Sequence, residues 1–184
     1  MGGNLMRTVT FADPATVDRM NRDFVLLWSN QQPDLVNGVP TSPEQAQAPW
    51  SQEEARMYPL GGGGGNLRTF FCDADGRVLH YLEGYWTPEV YGREMEFATG
   101  LSLADDLETR LAARKVEIER RQEELLASSE AARARPGTTE ESRQAAALGL
   151  LARTFDTGAQ YLRQPIDPVL ERIRIEGERR GVIS

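Results

Sequence analysis

Cysteine, histidine and lysine each occur once in the 184 residues, as Cys72, His80 and Lys115. A lone cysteine forms no internal disulfide and no dithiol pair. Cys72 closes the apolar run Thr69–Cys72, with no nearby cation to lower its pKa, so it reads as a small buried hydrophobe and only a weak catalytic candidate. A lone histidine has no Cys or carboxylate partners at ligand spacing, so no metal and no cofactor is expected, and His80 reads as a satisfied strand residue. Apolar runs of spanning length are missing, as is a basic region followed by an apolar stretch at the N-terminus. No membrane association is expected, and a cytoplasmic location is. Positive charge is also scarce in the first half. Residues 1–100 hold seven arginines against thirteen acids, which is nearly all of the net charge of −7, and this argues against a nucleic acid partner. The run Gly61–Gly65 lacks the lysine and following helix of a phosphate-binding loop, so it is expected to be a flexible linker.

What is present centres on Thr69–Phe97. Thr69–Cys72 suits a buried strand, Asp73–Gly76 supplies turn chemistry, and Arg77–Glu83 alternates as a second strand. Thr87, Pro88 and Glu89 then open a helix: a cap, a first-position proline and an acid at the positive end of the dipole. Val90, Tyr91, Glu94, Met95, Phe97 and Ala98 carry its pattern. Upstream, Asp13-Pro14 opens another helix, and Phe24–Trp28 is five apolar residues in a row, as in a strand covered on both faces. Residues 31–66 read as an irregular insertion with several prolines, the best stretch for a partner-contacting loop, with Pro40, Trp50 and Tyr58 as its candidate contacts.

These two pieces resemble the thioredoxin-like superfamily. There, a strand, an Asp-x-x-Gly turn, a strand ending in Gly and a helix opening Thr-Pro-Glu follow in this order, here over Thr69–Phe97. The Phe-x-Asp-Pro helix of Phe11–Pro14, running through Asn21 into Phe24-Val25, resembles the segment after the family's active site. The resemblance also implies what is missing. The Cys-x-x-Cys pair would fall at about Gly3–Met6 and the cis-proline at Leu67 or Arg68, where neither residue type stands, and the family's first strand would lie upstream of Met1. The implied domain is therefore a shortened scaffold without redox chemistry.

After Gly100 the composition turns helical. A long helix is expected over 103–134 from a Ser102 cap, with a narrow stripe of Leu107, Leu111, Ile118 and Leu125. A second is expected over 139–162 after a Thr138/Glu141 capping box, and a short third over 167–180. The acids of the first helix read as a solvated face and not as metal ligands. The expected fold is α/β: a shortened thioredoxin-like mixed sheet with flanking helices over 1–100, plus a C-terminal α-helical hairpin over 101–184. The expected function is a non-catalytic scaffold that binds a protein partner or forms a homo-oligomer, with Leu111 and Ile118 on the helical interface. The alternatives are a thiol-dependent oxidoreductase using Cys72 and a ligand- or metal-binding accessory subunit.

Overall fold

The structure, a computed structural model, describes residues 5–27, 53, 55–103, 106–131 and 139–179. It is a mixed α/β fold. In chain order come a π-helical turn (Met6–Thr10), α1 (Pro14–Asp23), β1 (Gly61–Cys72), β2 (Val78–Trp86), α2 (Pro88–Thr99), α3 (Leu107–Ala131), α4 (Glu140–Ala159) and α5 (Ile166–Arg179).

β1 and β2 form an antiparallel hairpin in which Phe70 faces Tyr81 and Phe71 faces His80 across the ladder. Its turn closes as the sequence implies: the Asp73 carboxylate accepts from the backbone N–H of Asp75 (3.0 Å) and of Arg77 (2.8 Å). The glycine run is strand, not linker. Gly61 pairs with Trp86, and the strands approach so closely there that a Cβ on Gly61 would overlap the Tyr85 carbonyl oxygen. Gly61 also has φ +121°, which only glycine adopts without strain. Glycine here serves close approach, a use that composition does not separate from flexibility.

Helix starts follow local chemistry. Asp13 caps α1, accepting from the Thr16 N–H at 2.8 Å, and Thr87 caps α2 with Pro88 in first position. Two starts differ from expectation. Asp106, not Ser102, receives the Thr109 N–H at 3.3 Å, and Thr139, not Thr138, receives the Ser142 N–H at 3.2 Å. Aspartate competes well for a cap, and in a Thr-Thr pair the fold decides which residue lies one step outside the helix.

The expected strand at Phe24–Trp28 is a further correction. Phe24 is extended at the end of α1, but Val25–Leu27 lie in no strand, and Trp28 lies outside the described residues. Among the described residues the sheet is two-stranded and wholly antiparallel, so the expected mixed sheet is not seen there. An apolar run supplies burial potential but not a ladder partner.

The two sheet faces bury different elements. Phe71, His80 and Leu82 share one face by alternation, and Phe71 and Leu82 lie in a cluster with Tyr91 and Met95 of α2. Phe24 reaches the same face, 5.8 Å from the Phe71 ring. Phe70 and Tyr81 occupy the other face with Tyr161 and with Val169 and Ile173 of α5. α4 touches both: Phe155 lies 5.0 Å from the His80 ring, and a Cβ on Gly158 would come within 2.8 Å of the Tyr81 Cβ.

α3 and α4 pack antiparallel in heptad register. Glu108 pairs with Arg163 (2.9 Å), Lys115 with Asp156 (2.7 Å), and Gln122 lies against Gly149. Each step is seven residues up α3 and seven back along the chain, from Arg163 in the turn after α4 to Asp156 and Gly149 within it. The leucine stripe of α3 is filled by this packing. Leu107, Leu111 and Ile118 join Leu148, Leu151 and Phe155 of α4 in the cluster that also holds Phe71 and Trp86. One core thus draws on residues from both halves of the chain.

Candidate functional site

Glu94 is the one charged residue on the buried face of α2, in sequence with Val90, Tyr91, Met95 and Ala98. It is 0% exposed. A carboxylate buried this deeply needs compensating partners, and it has two. His80 Nε2 lies 3.1 Å from Glu94 Oε2, and Arg114 Nη2 donates to Glu94 Oε1 at 2.7 Å. Arg114 also donates from Nη1 to Glu117 at 2.8 Å. β2, α2 and α3 each contribute one member, so the network ties the hairpin to the first helix of the C-terminal half.

Apolar groups enclose it. The His80 ring stacks on Phe71 (5.5 Å, 17°) and meets the Phe97 ring edge-on at 5.5 Å. The Arg114 guanidinium lies 5.7 Å from the centre of the Phe97 ring. Burial pushes the Glu94 carboxyl up, but hydrogen bonds and charge from His80 and Arg114 outweigh it and hold Glu94 below the usual carboxylate range. At neutral pH the carboxylate is an ion in a closed, paired environment. With His80 1% and Glu94 0% exposed, the pair is closed off from solvent and joins β2 to α2. Its chemistry is that of a clamp.

Outward from Arg114 a cleft of about 270 Å³ opens between α2 and α3, lined by Arg93, Glu96, Phe97, Gly100, Arg110 and Arg114. Arg110 donates to the Gly100 carbonyl at the end of α2, and Arg93 pairs with Glu89 at 3.1 Å.

Of the residues expected to act, Cys72 is half-buried at the end of β1. Burial, with Asp73 beside it, pushes its thiol up to about 11, so the thiolate needed for nucleophilic chemistry is scarce at neutral pH. Pro40 and Trp50 lie outside the described residues. Tyr58 is half-buried against the main core cluster. Leu111 and Ile118, expected on a partner-binding face, are buried inside the chain instead, because α4 packs along the α3 stripe. Leu111 and Ile118 thus contribute to the core cluster that Tyr58 packs against. Among the described residues no group of three or more His, Cys, Asp or Glu side chains is arranged to hold a metal ion, and no helix is long and apolar enough to cross a membrane.

The apolar surface that is exposed was not singled out from sequence. After Phe24, Val25 is 92% and Leu27 90% exposed, with Leu26 between them at 51%. The Glu94 network was also missed, although both ionic members interrupt apolar patterns. Glu94 stands inside the α2 stripe, and Arg114 fills the empty step between Leu111 and Ile118 in the α3 stripe.

No protein-family model, curated protein or solved structure matches this chain.

Proposed function

We propose that this chain is a non-catalytic interaction module on a thioredoxin-like scaffold, and that it binds a protein partner through the exposed segment Val25–Leu27. The observation that carries the reading is the near-complete exposure of Val25 and Leu27, directly after an anchored residue. Phe24 packs on Phe71 and fixes where the segment leaves the core. Single exposed hydrophobes are ordinary, but three consecutive exposed aliphatic residues make a compact apolar surface. Covering Val25 and Leu27 would yield about 1.5–3 kcal/mol each, the scale of an interface anchor.

The scaffold half of the reading rests on arrangement. α1, opening at Pro14, and α2, opening at Pro88, pack on each other beside the Phe71 face of the hairpin. Arg19 Nη1 donates to the Gly92 carbonyl at 2.9 Å, and the Phe11 and Tyr91 rings meet edge-on at 5.6 Å. That order of helix, hairpin and helix agrees with the motifs that suggested the family. The raised pKa of Cys72 and the enclosure of His80 favour binding over thiol chemistry.

The test is a photo-crosslinking residue at Val25 in the protein expressed in its host, with adducts mapped by mass spectrometry. The reading expects an adduct to one defined protein, which could be a second copy of this chain, and its loss when Leu27 is replaced by Ser. Adducts confined to the chain's own residues would overturn it.

A further inference from the structure

We propose that α5 is a displaceable strap, and that the aromatic face beneath it docks a helix of a partner protein built on α5's own pattern. The inference does not depend on the reading of Val25–Leu27. Of the fourteen residues of α5 only Val169 and Ile173 are buried, whereas α4 buries nine of its twenty. Two aliphatic side chains one turn apart are a small anchor for a helix of this length. Among the described residues no hydrogen bond or ion pair joins residues 167–179 to the rest of the chain. Arg174 pairs instead with Glu171 (2.7 Å) and Glu178 on its own helix, which supports that helix equally when docked or released.

The base of the strap is fixed. The Arg163 N–H donates to the Val78 carbonyl (2.8 Å), the Val78 N–H to the Gln164 carbonyl (3.0 Å) and the Ile166 N–H to the Gly76 carbonyl (2.9 Å). Opening therefore has a defined hinge just after Ile166 and leaves these bonds in place. What it uncovers is preformed. Phe70 lies 5.1 Å from Tyr81 and 5.5 Å from Tyr161, and Tyr81 lies 5.3 Å from Tyr161, so the three rings support one another without α5. The Tyr81 hydroxyl is buried with no hydrogen-bond partner, an uncompensated cost of the closed form. Once open, a contiguous aromatic surface of this kind suits a protein interface. α5 is the template for what fills it. Val169 and Ile173 lie four apart on one helix face against these rings, and the Arg172 guanidinium is 5.3 Å from the Tyr161 ring centre. The partner helix carries two branched aliphatics at that spacing and a neighbouring arginine.

Two measurements on the full chain test this. Native-state hydrogen exchange at low urea reads the opening. Amides of α5 past its first turn are expected to exchange about a hundredfold or more faster than the paired amides of β2, with a weak urea dependence because little surface is exposed. Fluorescence anisotropy of a labelled peptide of residues 166–179 reads the docking. The peptide should bind the chain saturably, and about tenfold or more tighter once Ile173→Asp keeps the chain's own strap off. The same substitution in the peptide should abolish binding. The proposal is overturned by α5 amides that share the rate and urea dependence of β2, or by an Ile173→Asp chain that no longer folds. Peptide binding that is absent, no tighter to that variant, or retained by the substituted peptide overturns it equally.

Discussion

Replacing Arg114 by Met is the sharpest probe of the Glu94 network. Met keeps much of the side-chain volume and its packing near Phe97 while removing the charge. Glu94, fully buried, is then left with His80 as its remaining side-chain partner. Breaking a buried ion pair by removing one member costs about 3–5 kcal/mol. The retained His80 contact and the 19% exposure of the Arg114 side chain place this case near the lower end, at about 3 kcal/mol. For a chain of this length that is a fall in Tm of about 6–12 °C. Urea unfolding followed by circular dichroism measures it. Placing Met at both 94 and 114 removes the stranded charge, so the double variant should lose less than Arg114→Met alone. A single-variant loss under about 1 kcal/mol, or a strictly additive cycle, would refute the clamp. The acid limb gives a second signature. Because Glu94 titrates below its ordinary value of 4.5 when folded, its contribution is fully present above that pH. It is lost as pH falls through the depressed folded pKa. In Arg114→Met one depressing partner is gone, so destabilisation should begin at higher pH.

Other outcomes follow from the same geometry. Leu111→Asp or Ile118→Asp should unfold the chain, by about 4 kcal/mol or more, and not merely dissociate an assembly; light scattering together with circular dichroism separates these results. Gly61→Ala should cost about 2 kcal/mol or more in urea unfolding, since it meets both a forbidden φ and the Tyr85 carbonyl. Cys72 should react with a disulfide reagent at pH 8 about a hundredfold or more slower than a free thiol, because a pKa of about 11 leaves little thiolate. Val25→Ser with Leu27→Ser should change stability by less than about 1 kcal/mol, whereas Phe24→Ala should cost about 2 kcal/mol.

The hairpin turn and the caps of α1 and α2 were legible because their chemistry is local. Asp73, Asp13 and Thr87 each bond backbone within four residues, so neighbours in sequence suffice to place them. Features that depend on distant chain were not. Gly61–Gly65 reads as a linker until Trp86 is set beside it. Phe24–Leu27 reads as a buried strand until a ladder partner is sought. The α3 stripe announced burial correctly, but a stripe does not say whether its cover is another helix of the same chain or a second copy. The Glu94 network left a trace that patterning discards. A charge standing where the period demands an apolar residue, on two helices at once, is the signature of a buried pair.

The shared core has a consequence for how this chain is made. His80 emerges from the ribosome early, but two groups that close its surroundings, Arg114 and Phe155, are synthesised 34 and 75 residues later. The hairpin and α2 can form their local bonds at once, yet the face that carries His80 and Phe71 is covered only in part, by α2 and Phe24, until α4 has appeared. At about 5–20 residues per second that interval lasts about 4–15 seconds, long compared with helix or hairpin formation. During it a nascent chain displays aromatic surface that the finished protein never shows. A chaperone, or a neighbouring nascent chain, meets a different molecule from the one that leaves the ribosome.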